Sequence, residues 1–141
     1  MGLLHTVSST VEALATRVIG AAIEVHRAMG PGYLESVYQK SLEIEFILQD
    51  IPFRAQHGFD LLYKDHDVGG GRIDFLVGGE LIVEIKTVDV VAPIHRAQML
   101  SYLRAMDLNL GLILNFNAPV MKSGIHRIIQ SVHCPPPQYP S

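Results

Sequence analysis

The spacing of apolar residues changes along the chain, and the change separates helices from strands. Residues 9–29 and about 33–48 carry apolar side chains at helical spacing, and Gly30-Pro31-Gly32 separates the two predicted helices. Ser9-x-x-Glu12 has the form of a capping box at the start of the first helix. The second helix carries the apolar residues Leu34, Val37, Leu42, Ile44 and Leu48.

Beyond Pro52, alternating and continuous apolar runs are typical of strands. Gly69-Gly70-Gly71 predicts a bulge or a close backbone approach. The order of elements predicts an α/β fold, with helices flanking a mixed (α+β) sheet of four to five strands. Its remaining parts are a strand over 53–63, a hairpin over 71–86, a helix over 93–106, a buried strand over 110–115 and a last, edge strand over 125–131.

The register of the hairpin follows from its apolar residues. A two-residue loop would mix apolar and charged side chains on its rungs, whereas the three-residue loop Gly78-Gly79-Glu80 leaves one face wholly apolar. The buried face therefore selects the longer loop. The predicted pairs are Val77 with Leu81, Phe75 with Val83, and Ile73 with Ile85.

This register sets Asp74 opposite Glu84 and Arg72 opposite Lys86. Like charges directly opposed in a sheet are destabilising, so two facing carboxylates indicate a ligand, most simply a divalent cation. Mg²⁺ takes oxygen ligands and can activate a water, while a neighbouring lysine stabilises developing negative charge. The alternative interpretation is a solvated face without a ligand.

Composition narrows the classes of protein. A chain of 141 residues, 48% of them apolar, suits one globular domain, predicted over 1–133 with a Pro-rich tail over 134–141. The single Cys134 excludes a disulfide framework, and no run of residues has the length of a membrane span or the pattern of a signal peptide, so a cytoplasmic location is expected. Residues 1–50 hold the whole net charge of −3, so a polyanion would bind a local patch on the remainder.

Two motifs carry a family resemblance. Gly32-x-x-Glu35-x-x-Tyr38 opens the second helix after Glu24–Pro31, and this stretch resembles the signature of the GxxExxY protein family. Asp74 followed by Glu84-x-Lys86 on the next strand resembles the PD-(D/E)XK nuclease superfamily, to which the GxxExxY family is similar. The resemblance covers most of residues 16–129, and it implies a restriction-endonuclease-like core.

The resemblance assigns roles on the hairpin. Asp74 and Glu84 would be ligands of Mg²⁺ or Mn²⁺, and Ile85 would offer its backbone carbonyl. Lys86 would position the attacking water or stabilise the pentavalent phosphorus. Either Glu35 or His26 would complete the metal site, while the structural alternatives are a favourable charge in a helix's first turn and a core histidine.

His95, Gln98 and Tyr102 recur at i, i+3 and i+7 on the third helix, opposite an apolar face. One interpretation is a polar outer stripe. In the other, Gln98-x-x-x-Tyr102 resembles a motif of RecB-like nucleases, and the row contacts nucleic-acid phosphates or orients Lys86.

The sequence thus predicts a Mg²⁺-dependent or Mn²⁺-dependent phosphodiesterase that acts on nucleic acid, with DNA favoured over RNA and no membrane partner. The alternative is a non-catalytic nucleic-acid-binding or protein-interaction domain on the same scaffold. A domain of this size covers few base pairs, so a symmetric homodimer is expected to cut both strands.

Overall fold

The structure is a computed structural model, and it describes residues 7–131. The Pro-rich tail predicted at 134–141 lies outside the described residues. Among those described, none of the helices combines the length and apolarity of a membrane-spanning segment. The elements are α1 (Ser9–Met29), α2 (Glu35–Leu48), β1 (Phe53–Tyr63), β2 (His66–Val77), β3 (Leu81–Lys86), α3 (Pro93–Met106), β4 (Leu110–Asn115) and β5 (Ile125–Ile129), with a short 3₁₀ turn at Met121–Gly124.

The five strands form one mixed sheet in chain order, β1-β2-β3-β4-β5. All neighbours are antiparallel except β3 and β4, which are parallel and are joined by the crossover helix α3. β5 lies at the edge, as predicted. The predicted fold class is therefore confirmed: helices flank a five-stranded mixed sheet.

Two apolar clusters cover the two faces of this sheet. The first cluster lies beneath α1 and α2, and the second lies beneath α3. Burial of both clusters fixes the sheet between layers of helix. Members of the first include Val18, Leu42, Phe75 and Val83, and members of the second include Ile73, Ile82, Met99 and Ile113.

The capping box predicted at Ser9 is wrong by one residue. Ser8 is the N-cap of α1, because its Oγ accepts the Val11 N–H at 3.2 Å. Glu12 instead forms an ion pair with Arg127 of β5, at 2.8 Å. That pair ties the first turn of α1 to the edge strand.

The buried face of α2 differs from the one that its aliphatic residues suggest. Tyr38, Leu42 and Phe46 form an i, i+4, i+8 stripe that is wholly buried. Leu34 and Leu48 are more than two-thirds exposed. The two aromatic rings of this stripe pack on rings below the helix, Tyr38 on Phe116 and Phe46 on Phe75.

The hairpin between β2 and β3 has the predicted three-residue loop, and Phe75 pairs with Val83 as expected. The three pairs predicted beyond this one are absent from the ladder: Asp74 with Glu84, Ile73 with Ile85, and Arg72 with Lys86. The ladder ends at Phe75, and Ile73 packs in the second cluster while Ile85 packs in the first. The physical reason is that the Ile85 N–H donates to the side chain of Asp74 at 2.7 Å instead of to the backbone of β2.

The glycine run near the start of β2 has both predicted features. The β1–β2 register shifts between Leu61 and Leu62, opposite the glycines. A Cβ at Gly71 would overlap the ring of Phe59, so the strand approaches that ring closely. Phe59 in turn contacts Tyr102 of α3 with 5.1 Å between ring centroids. The β1–β2 hairpin therefore contacts α3, the helix that covers the second cluster.

Candidate metal centre

Asp74 lies where the β2–β3 ladder ends, and every oxygen of this residue is hydrogen-bonded. Its Oδ2 accepts the Ile85 N–H at 2.7 Å, and its Oδ1 accepts the Gln56 Nε2 at 3.3 Å. Its backbone carbonyl accepts the Gln39 Nε2 of α2 at 3.4 Å. Three elements, β1, β3 and α2, therefore fix the position of this carboxylate.

Glu84 is the second carboxylate of the site, and it is poorly solvated. Its Oε1 is buried and has no hydrogen-bond partner. Burial raises the pKa of Glu84 to about 9, with further contributions from the hydrogen bond and the charge of Asp74, while the Lys86 ammonium acts in the opposite direction. Glu84 is thus a half-buried residue with one buried, unpartnered oxygen, and its surroundings favour the neutral form of the carboxyl group.

A divalent cation fits this arrangement. It would satisfy the unpartnered Oε1 of Glu84 and neutralise the charge of two adjacent carboxylates, Asp74 and Glu84. Within residues 7–131, no group of three or more His, Cys, Asp or Glu side chains is placed to hold a metal. The candidate protein ligands are therefore this pair, and water or a phosphate oxygen would have to supply the remaining positions.

The loop after Lys86 is anchored by the end of β4. Lys86 pairs with Asn115 in the parallel ladder, and its carbonyl accepts the Phe116 N–H at 2.9 Å. The buried Asn115 side chain accepts the Val88 N–H at 3.1 Å and donates to the Val88 carbonyl at 2.8 Å. These bonds hold the half-buried Lys86 at the C-terminal end of β3, two residues after Glu84.

The structure does not bring the two rival residues into a group with the carboxylates. Glu35 is exposed in the first turn of α2, and it is Gln39, one turn later, that contacts Asp74. His26 is 8% exposed, and its Nε2 lies 2.8 Å from the Ala118 carbonyl. The contacts of His26 are those of a core histidine.

The polar row on α3 has different surroundings at each position. The Nδ1 of His95 accepts the Ala92 N–H at 3.0 Å, so this residue caps the helix. Gln98 is exposed. Burial, with the charges of Glu84 and Asp74, raises the pKa of Tyr102, so its hydroxyl lies within electrostatic reach of the carboxylates. Within this row, Tyr102 is thus the residue whose pKa responds to the charges of Asp74 and Glu84.

Three supporting residues escaped the sequence analysis. Asn115 had a signal, because a polar residue that ends a continuous apolar strand is unusual. Gln39 also had a signal, because it lies one helical turn after Glu35 and therefore on the same face of α2. Gln56 gave no signal, because its role depends on an irregular backbone that neither composition nor periodicity encodes.

Comparison with known proteins supplies a family. A family model described as the PD-(D/E)XK nuclease superfamily matches residues 12–128. Searches of curated proteins and of solved structures returned no match. The family match covers most of the chain and includes Asp74, Glu84 and Lys86 on their adjacent strands. The chain therefore belongs to the PD-(D/E)XK nuclease superfamily.

Proposed function

We propose that the protein is a metal-dependent nuclease that hydrolyses phosphodiester bonds, preferably in DNA, and that it belongs to the GxxExxY family within the superfamily. The observation that carries this proposal is the buried, unpartnered Oε1 of Glu84 beside Asp74 and Lys86. A merely structural site would gain stability from an apolar residue or an amide at position 84. A carboxylate kept there indicates a cation as its partner.

Asp74 and Glu84 would hold Mg²⁺ or Mn²⁺, and the Ile85 carbonyl is a further candidate ligand. Such a metal supplies Lewis acidity, lowers the pKa of a bound water and neutralises phosphate charge. The hydrogen bonds from Gln56 and Ile85 restrict Asp74 to one orientation before any ligand arrives. This preorganisation lowers the cost of ordering the site during the reaction.

Lys86 would act on the scissile phosphate directly. Water attacks phosphorus, the bond to the leaving oxygen breaks, and negative charge accumulates on the non-bridging oxygens. The Lys86 ammonium stabilises that charge, or orients the water, from its position two residues after Glu84 on β3. Tyr102 and the exposed Gln98 would donate hydrogen bonds to neighbouring phosphates.

The test is a cleavage assay on double-stranded and single-stranded DNA and on RNA, with Mg²⁺ or Mn²⁺. We expect Asp74→Ala and Lys86→Ala each to lower the rate about 100-fold or more, because each removes charge stabilisation at the reacting phosphate. Asp60→Ala and Lys64→Ala are matched controls, since both residues are exposed on or beside β1, and their rates should equal the wild-type rate. Circular dichroism checks that every variant is folded. Full activity in both Asp74→Ala and Lys86→Ala would refute the proposal.

A second candidate function is a non-catalytic nucleic-acid-binding or protein-interaction domain. The observation in its favour is that only two acidic side chains, and no third metal-ligating residue, come together within residues 7–131. It predicts that the wild-type protein gives no metal-dependent turnover on any of the three substrates. Turnover that depends on Asp74 and Lys86 would exclude it.

A further inference from the structure

Gln56 has an unusual backbone for a residue inside a strand. Its φ is +51°, in the left-handed region that L side chains adopt at a cost. The other described non-glycine residues with positive φ occupy ordinary places for it. Asp50 and Asp107 follow helices, and Lys64 and Asp65 form the turn between β1 and β2. Gln56 is the described non-glycine residue whose strain has no explanation in a turn or a helix end.

The strain coincides with a break in the β1–β2 ladder. Gln56 should pair with Asp74, but that rung is missing between two formed rungs. Across the break the apolar side chains change sides of the sheet: Phe75 packs in the first cluster, and Ile73 packs in the second. The formed rungs on either side are Ala55 with Phe75 and His57 with Ile73.

The break frees the Asp74 carboxylate from a regular strand position. Its Oδ2 reaches the Ile85 N–H, and its Oδ1 receives the amide of Gln56 at 3.3 Å. The Asp74 carboxylate also hydrogen-bonds the Glu84 carboxyl group, so a cation bound between the two would take the place of that shared proton. The backbone and the side chain of Gln56 thus both affect the position of the Asp74 carboxylate.

We infer that Gln56 is a positioning residue, whose left-handed backbone and side-chain amide hold the Asp74 carboxylate in the orientation that binds the metal. The inference rests on the proposed function, because it assigns Gln56 a task at the proposed metal site. Strain concentrated at one non-glycine residue is typical of sites where local geometry serves function. Outer hydrogen bonds that orient a ligand also commonly set its metal affinity.

The test is calorimetric titration of the whole chain with Mn²⁺, together with thermal unfolding without metal. Gln56→Gly removes the amide and relieves the backbone strain. We expect Mn²⁺ affinity to fall about tenfold, and the melting temperature to stay unchanged or rise. Leu62→Gly is the matched control, because Leu62 is exposed on β1 and uncharged, and its Mn²⁺ affinity should equal that of the wild type. Asp74→Asn is expected to lose binding.

The outcomes separate this inference from the proposed function. Gln56→Gly with wild-type Mn²⁺ affinity overturns the positioning role while Asp74→Asn still tests the metal site. A lower melting temperature with unchanged affinity likewise assigns Gln56 a purely structural role and overturns the inference. Equal Mn²⁺ binding by wild type and Asp74→Asn overturns the metal site itself. Absence of wild-type binding, even with a short oligonucleotide present, overturns both.

Discussion

At the scale of single residues, Glu84 is the site residue whose ionisation its surroundings oppose most clearly. Its Oε1 is buried without a hydrogen-bond partner, and its pKa is raised to about 9, first by burial and then by Asp74. Without a cation, the folded protein must keep a proton on this group or bear an unscreened charge. The carboxylate that would bind a cation therefore lowers the stability of the metal-free protein.

We predict that Glu84→Gln stabilises the metal-free protein at neutral pH. The folded state retains the Glu84 proton up to about pH 9, whereas the unfolded chain releases it near pH 4.5, so the stability from this group declines as pH rises between those values. The amide does not titrate. The variant should gain about 1–3 kcal/mol in unfolding free energy, or about 3 °C or more, near pH 8.

The measurement is thermal unfolding of wild type and Glu84→Gln at several pH values from 4 to 9. The gain in melting temperature of Glu84→Gln over the wild type should shrink toward pH 4. Glu80→Gln is the control, because Glu80 is exposed in the hairpin loop and its substitution should change little. A Glu84→Gln protein no more stable than wild type at pH 8 would contradict the assigned burial cost.

Asp74, Glu84 and Lys86 could be predicted as site residues because the predicted register opposes like charges in an otherwise apolar hairpin. Gln56 could not be predicted in this way. The local sequence around Gln56 alternates as an ordinary strand does, and nothing in it indicates the left-handed backbone of Gln56 or its hydrogen bond to Asp74, which lies 18 residues further along the chain. Such a residue becomes visible only in three dimensions.

At the scale of elements, Tyr38 connects α1 to α2. Its side chain is wholly buried, and its hydroxyl donates to the Gly30 carbonyl at 2.5 Å and accepts the Tyr33 N–H at 3.2 Å. Its ring stacks on Phe116 with 4.5 Å between centroids. The motif tyrosine thus fixes the loop that starts the helix carrying Glu35.

We predict that Tyr38→Phe lowers the unfolding free energy by about 1–3 kcal/mol, because it keeps the ring but leaves two backbone groups without their partner. Tyr33→Phe is the matched control, since Tyr33 is half exposed and contacts the Tyr38 hydroxyl through its backbone N–H, which the substitution leaves in place. Urea denaturation measures both. Equal stability of the two variants would show that the Tyr38 hydroxyl does not secure the junction.

Most element bounds follow from the sequence, but β2 begins at His66 instead of residue 71 and β5 ends at Ile129 instead of residue 131. β1 and α3 begin and end at the predicted residues. The faces that the elements bury follow less well. On α2 the buried stripe of Tyr38, Leu42 and Phe46 was not the predicted one, because several apolar residues lie on more than one face. The choice among them depends on the shape of the sheet surface, which local sequence does not contain.

At the scale of the whole molecule, two apolar clusters fill the two faces of the sheet, and the polar residues of the candidate site on β2 and β3 lie outside both clusters. Asp74, Glu84 and Lys86 lie together where β2 separates from β3, while α2 and α3 approach from opposite faces through Gln39 and Tyr102. Because the net charge is −3, the proposed binding of nucleic acid would depend on local groups of basic side chains. The homodimer expected for cutting both strands stays a prediction.

The most direct test of this metal-site assignment is a Mn²⁺ titration of wild type beside Glu84→Gln, followed through the electron paramagnetic resonance signal of free Mn²⁺. Glu84→Gln is expected to be the more stable protein, so any lost binding cannot come from unfolding. We predict one Mn²⁺ site in the wild type and its loss in the variant. Equal Mn²⁺ binding by the two proteins would contradict the assignment of Asp74 and Glu84 as the metal centre.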